Sequence, residues 1–133
     1  MTILPTIEFE KLLTLIDIIP LSSLMDLLLG DLDAISKNCI KKQGYQHYCG
    51  KTKLWNEMAK PLLILIAIKQ KKLRIIDECF ECPRCKTLYK NWRQLSPHHK
   101  KYTNLYNYRV KENHPRSIEI MCISCHQKEE GIL

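Results

Sequence analysis

Apolar side chains recur along the first thirty residues with the period of a helix. Phe9, Leu12, Leu13 and Ile16 share one face, Thr6 stands where an N-cap would, and Pro20 stands where such a helix must stop. Ser22 or Ser23 can cap a second short helix over Leu24 to Leu29, which Gly30 ends. Asp31 opens a third, in which Leu32, Ile35 and Cys39 or Ile40 fall on one side before Gly44. Residues 45–53, with Tyr45, His47, Tyr48 and Cys49, read as a turn-rich link, and Leu54, Trp55 and Met58 start a further helix toward Pro61. The apolar run Leu62 to Ile68 suits a buried strand as well as a helix by pattern alone, but the helix formers of Lys69 to Lys72 extend it and favour helix.

From Leu73 the texture changes. Leu73 to Phe80 is rich in Ile and Cys and leads like a strand into Cys82-Pro83-Arg84-Cys85, and Ser117 to Met121 leads in the same way into Cys122-Ile123-Ser124-Cys125. The expectation is an α+β chain: a helical N-terminal part, residues 1–72, and a small C-terminal four-Cys zinc ribbon or treble-clef module, residues 73–133. Four thiolates in two i,i+3 knuckles, Cys82, Cys85, Cys122 and Cys125, can close tetrahedrally around one structural zinc ion per chain. A bound zinc would contribute roughly 10–16 kcal/mol of apparent folding energy. Two redox pairs, or four unrelated buried thiols, are the alternatives, and the doubled spacing disfavours both.

Cys39, Cys49 and Cys79 remain outside that set, and an odd remainder argues against a disulfide framework and for a reducing compartment. The longest apolar run is far shorter than a membrane span, and the N-terminus lacks a basic leader. The chain is therefore expected to be intracellular, cytoplasmic or nuclear, and to have no membrane partner.

Charge separates the chain further. Residues 1–36 carry a net −5, residues 37–60 a net +5 and residues 61–133 a net +7. Such a basic body favours a polyanion such as nucleic acid, while the acidic head would face solvent or protein. Between the first Cys pair and Ser117 stand eight bases, Lys86, Lys90, Arg93, Lys100, Lys101, Arg109, Lys111 and Arg116, against the single acid Glu112. Tyr89, Trp92, Tyr102, Tyr106 and Tyr108 are interleaved with them. Cations neutralise phosphates while flat rings stack on unpaired bases, which is what single-stranded or looped RNA requires. Trp92 and one or two tyrosines are expected instead to pack the small zinc core. The bases, with Tyr102, Tyr106 and Tyr108, make the candidate RNA surface. The implied partners are ribosomal or otherwise structured RNA and the proteins of a larger ribonucleoprotein assembly.

Cys82-x-x-Cys85, then Leu95-Ser96-Pro97-His98-His99, then Ile118 to Met121 and Cys122-x-x-Cys125-His126, resemble the zinc-stabilised HNH endonucleases over residues 79–131. The resemblance implies a ββα module with a second divalent metal. In it His98 and His126 would be ligands, Glu130 a further ligand, and His99 the base that activates water against a phosphodiester of DNA or RNA. Two positions depart from the family: Ser117 stands where an Asn orients the base, and Glu130 where a His is usual. Glu can ligate a divalent metal, whereas Ser cannot hold the base as an amide does, so a binding role without catalysis is the first expectation. Read without the family, His98 and His99 are a polar pair in a basic loop that contacts phosphate or water. In the head, Leu4-Pro5, the Leu-rich helices, Ser36 to Cys39, Tyr48-Cys49 and Leu54-Trp55 resemble an F-box, which implies an adaptor that recognises a protein target. A plain helical cap over the ribbon accounts for the same residues.

Overall fold

Pro61 to Ala67 are buried without interruption, so the helix that carries them, Lys60–Lys69, has no solvent face and serves as the axle of the chain. The structure is a computed structural model that describes residues 8–32, 35, 38, 39, 41, 42, 53–99 and 118–129. It is a mixed α+β arrangement. Helices α1 (Phe9–Thr14) and α2 (Leu21–Leu27) precede the axle helix α3 (Lys60–Lys69). Strands β1 (Arg74–Ile76), β2 (Cys79–Glu81) and β3 (Leu88–Tyr89) form an antiparallel sheet in the order β1-β2-β3. A 3₁₀ turn, Trp92–Gln94, leads into β4 (Leu95–His99), which pairs antiparallel with β5 (Ile118–Cys122), and α4 (Ile123–Glu129) follows at once.

One apolar cluster joins these parts. Phe9, Leu24, Leu28 and Trp55 from the head meet Leu62, Ile64, Leu65 and Ile66 of α3, and the same cluster takes in Phe80, Trp92, Leu95, Ile118 and Ile120 from the β-rich half. A smaller cluster of Cys82, Met121 and Cys122 lies beside it, with Tyr89 packed against both. Trp92 therefore packs a core as expected, but the main one. Its indole stacks on Phe9 at 4.9 Å between ring centroids, which needs the acidic head and the basic body to close on each other.

Several local boundaries differ from expectation for definable reasons. Thr6 lies outside the described residues, and Glu8 occupies the cap position of α1 without a side-chain cap. Helix α1 stops at Thr14, well before Pro20, and the turn that follows it is tied to another element: Lys69 Nζ donates to Ile16 O at 2.7 Å and to Asp17 O at 3.3 Å. Helix α2 starts directly after Pro20, so Ser22 and Ser23 sit inside its first turn and do not cap it. At Gly30 two helical stretches meet in a kink within Leu28–Leu32. The rest of the expected third helix and the link at 45–52 fall largely outside the described residues.

Leu54–Ala59 is wound as a π-helix and runs straight into α3, so Pro61 stands near the start of α3 instead of ending a helix there. The run Leu62 to Ile68 is helical, as favoured, but the helix closes earlier than Lys72. Lys71 takes a left-handed φ of 62°, Lys72 N–H donates to Ala67 O at 2.8 Å and Lys71 N–H to Ile68 O at 3.0 Å. That pair of bonds is a Schellman closure with lysine where glycine is usual. The segment Leu73 to Phe80 is a hairpin, not one strand. Asp77 and Glu78 have φ of 50° and 63°, the conformation of a two-residue type I′ turn, and the sequence lacks the Asn-Gly signal that announces one. Among the described residues no helix is long and apolar enough to cross a membrane.

Candidate metal centre

The first Cys pair belongs to a tight knuckle between β2 and β3. Cys82 N–H donates to Thr87 O at 3.0 Å, Lys86 N–H donates to Cys82 O at 2.9 Å, and Lys86 adopts φ 65° so that the chain can turn back into β3. The second pair sits where strand becomes helix, with Cys122 ending β5 and Cys125 in the first turn of α4. The β4–β5 ladder, from Leu95↔Cys122 to His99↔Ile118, carries the second pair to the first.

The four sulfurs lie within 4.8 Å of one another. Cys82 Sγ is 3.9 Å from Cys125 Sγ, and Cys85 Sγ is 3.8 Å from Cys122 Sγ. A tetrahedron with metal–sulfur bonds of about 2.3 Å has edges of about 3.8 Å, so the donor set fits one ion. Cys82 and Cys122 are buried, Cys125 half-buried and Cys85 exposed, which leaves the centre closed on the core side and open at one corner.

Hydrogen bonds favour thiolates here. The Thr87 hydroxyl lies 3.2 Å from Cys85 Sγ, and this contact together with the Thr87 backbone N–H holds the Cys85 thiol down at about 6. Burial opposes ionisation of Cys122, but the Tyr89 hydroxyl and the Cys125 N–H, 3.4 Å from its sulfur, more than offset it and keep its pKa below the ordinary value. The same bond to Cys122 is the leading reason the Tyr89 phenol is pushed up to about 12. Burial and the neighbouring sulfurs push Cys125 up to about 12. A cluster in which some thiols ionise readily and another holds its proton is short of positive charge, which a divalent cation supplies.

A guanidinium braces the centre. Arg84, inside the knuckle, donates from Nε and Nη2 to the two oxygens of Glu119 on β5 at 2.7 and 3.0 Å, and from Nη1 to Glu129 on α4 at 2.9 Å. Sequence reading missed this triad, because Glu119 and Glu129 lie 35 and 45 residues from Arg84 and carry no spacing signal. Thr87 was missed as well, while the sequence presents Tyr89 as a ring among the bases and Ser96 as part of the His98 motif, with no sign of their contacts with Cys122 and His126.

The histidines stand beside the metal centre. His98 is buried on β4, and its ring meets that of His126 on α4 edge to face, with centroids 5.2 Å apart. Ser96 Oγ, two residues along the same strand, lies 2.8 Å from His126 Nδ1. So the structure brings together two of the three expected imidazoles. The His99 side chain, Glu130 and Ser117 lie outside what is described, and the four cysteines are the one group of three or more metal-ligating side chains that converges among the described residues. Of the expected nucleic-acid set, Lys86 and Arg93 are exposed and Lys90 adjoins the 3₁₀ turn, while Lys100, Lys101, Tyr102, Tyr106, Tyr108, Arg109, Lys111 and Arg116 lie in the connection outside the described residues.

No protein-family model matches the chain, and neither the curated proteins nor the solved structures contain a match to it. Its own chemistry therefore carries the functional reading.

Proposed function

We propose that this chain is a zinc-stabilised RNA-binding module that acts without catalysis inside a larger ribonucleoprotein assembly such as the ribosome. An all-sulfur, tetrahedrally spaced donor set is the chemistry of structural zinc, and a knuckle facing a helix start is the treble-clef arrangement. The observation that carries the binding role is the register of the ladder. It closes at His99↔Ile118, so both ends of the 100–117 connection are anchored by one strand pair, at the end of the ladder opposite Cys122. That connection holds Lys100, Lys101, Arg109, Lys111 and Arg116 with Tyr102, Tyr106 and Tyr108. Cations to neutralise phosphate and rings to stack on bases are thereby tethered to a rigid base, which lowers the ordering cost of binding.

Titration with single-stranded RNA at several salt concentrations tests this. If about four to six bases touch phosphates, the log–log slope is roughly −3 to −4, at about −0.7 per contact. Lys100→Ala with Lys101→Ala weakens binding to every sequence and flattens the slope by about 1.4, whereas Tyr106→Ala weakens binding at nearly unchanged slope, since stacking releases no counterions. Salt-independent affinity in the parent would refute the proposal.

The contact between His98 and His126 favours a second reading, an HNH-type endonuclease. The Ser96 hydroxyl at His126 Nδ1 is the kind of partner that orients a metal-ligating histidine. A divalent ion held by His98 and His126 would stabilise the scissile phosphate, and His99 would take the proton from water. Incubation with plasmid or RNA and Mg²⁺, Mn²⁺ or Zn²⁺ separates the two readings. No cleavage is expected, because Ser117 cannot orient His99 as Asn would. Cleavage that vanishes in His99→Ala, with zinc content and fold intact, would establish the nuclease.

A further inference from the structure

At the 3₁₀ turn that precedes β4, two cations converge on one indole. Arg93 lays its guanidinium over the Trp92 ring, with Cζ 4.5 Å from the centroid, and Lys60 Nζ stands 6.0 Å from the same centroid. Lys60 Nζ also donates to the backbone carbonyl of Arg93 at 3.3 Å, so the ammonium is anchored beside the guanidinium. Phe9 stacks on the indole at 4.9 Å, so Trp92 is held by the core and cannot swing away.

The turn that carries Arg93 is rigid for its own reasons. Asn91 Oδ1 accepts from Arg93 N–H at 2.9 Å and Gln94 Oε1 accepts from Asn91 N–H at 3.3 Å, a reciprocal capping box around Trp92–Gln94. Lys60 is fixed on α3, in the continuous helical run that contains Pro61. Two like charges are thus placed together by two separate, rigid elements. Among the described residues neither has a carboxylate within ion-pair distance. Burial and the charge of Arg93 both lower the pKa of Lys60, so holding the pair charged is costly in the free protein.

A preorganised guanidinium with an ammonium beside it, and no carboxylate paired to either among the described residues, is a geometry that accepts a phosphate. We propose that Lys60 and Arg93 form a phosphate-binding position, through which a phosphodiester of bound RNA contacts the helical half of the chain as well as the zinc module. This rests on the RNA-binding reading and extends it to a residue, Lys60, outside the basic stretch between the Cys pairs. The neighbouring acids define the approach. The shallow groove between α1 and the 3₁₀ turn is lined by Glu8 and Glu10 as well as Lys11, Phe9, Trp92 and Arg93. A nucleic-acid backbone is repelled along that groove, so its approach to the pair lies outside it. Trp92 is buried, so it supplies a cation–π platform for Arg93 and does not stack on a base.

Two measurements on the full zinc-loaded chain test the assignment. In RNA titrations, Lys60→Met and Arg93→Gln each weaken binding roughly three- to ten-fold at low salt and flatten the salt slope by about 0.7, and Lys60→Arg restores both. Lys60→Met should at the same time leave the thermal midpoint of the free protein unchanged or raised, since the ammonium's burial and its repulsion are gone. A lysine that served only the fold would move stability downward and leave the salt slope alone. In the second measurement, inorganic phosphate is titrated while the Trp92 indole N–H and the Arg93 amide are followed by NMR. Both should shift in the parent and stay still in Lys60→Met.

The outcomes separate cleanly. Parent-like RNA affinity and slope in both charge-removing variants, while Lys100→Ala with Lys101→Ala still weakens binding, would overturn the phosphate position and spare the RNA reading. Failure of the parent to bind any RNA would sink that reading, and phosphate shifts that depend on Lys60 would then support the anion site by themselves. Absence of those shifts would overturn the site.

Discussion

Arg84 and Glu119 meet through two parallel hydrogen bonds, Nε to Oε1 at 2.7 Å and Nη2 to Oε2 at 3.0 Å, and so fasten the first Cys knuckle to the strand that delivers the second. A third bond from the same guanidinium, to Glu129, adds the helix that carries Cys125. All three elements that furnish sulfur are thereby joined on the outside of the cluster, independently of any ion that the sulfurs would hold. Removing this brace with Arg84→Met is expected to speed metal transfer to a chelator while leaving one ion bound per chain. Since the triad is solvent-accessible, high salt should speed transfer from the parent toward the variant's rate. Stopped-flow release with a chromogenic chelator at two ionic strengths checks both.

Elemental analysis should find one zinc per chain. Cys85→Ser with Cys122→Ser is expected to bind none and to loosen the knuckle and α4, seen as loss of their amide dispersion, because without an ion the cysteine end of the ladder is held by one exposed triad, while Leu95, Ile118 and Ile120 still anchor β4 and β5 in the main core. Full zinc retention in the double variant would contradict the assigned donor set.

Tyr89→Phe removes the hydroxyl that donates to Cys122 while leaving the ring in both clusters. Metal affinity is expected to fall by about ten-fold, at the low end of what loss of a ligand's hydrogen-bond partner costs. A competition titration against a chelator of known affinity measures it.

Acid should release the metal. Cys85 is held down at about 6 from an ordinary 9.0, so its thiolate favours the folded state; that stabilisation is complete above the unfolded value and is lost as pH falls through about 6. Ligation displaces protons in the same direction, so zinc content should be full near pH 8 and decline at acid pH, with the steepest loss at or below about 6. Loss that instead occurred on raising the pH from 7 to 9 would reverse the sign and refute the argument.

Lys71→Gly places the usual residue in the left-handed position that ends α3. Relief of the Cβ clash, worth about 1–2 kcal/mol, is partly offset by the greater freedom of glycine in the unfolded chain, leaving a net gain of about 0.5–1 kcal/mol. In contrast, Leu65→Ala empties a fully buried site on the axle helix and should cost about 2–5 kcal/mol. Denaturant melts of the zinc-loaded protein give both values.

What could be read from the chain alone was whatever depends on near neighbours. Two Cys-x-x-Cys knuckles announce a tetrahedral site because each needs only three residues of turn geometry, and their clustering follows the chemistry of the ion. The helical character of Leu62 to Ile68 was legible from its flank, and the strand leading into Cys122 from its Ile-rich pattern. The type I′ turn at Asp77-Glu78 and the Schellman closure at Lys71 were not, because both use left-handed residues other than glycine or asparagine, which the surrounding pairing and packing hold in place. Tertiary structure alone decided the pairs distant in sequence: Phe9 on Trp92, Lys69 on the turn after α1, Arg84 with Glu119 and Glu129, His98 against His126, and Lys60 beside Arg93. Each joins residues whose local patterns are indifferent to one another, and burial of the apolar run Pro61 to Ala67 of α3 is what draws the acidic head and the cysteine-bearing ladder into one core.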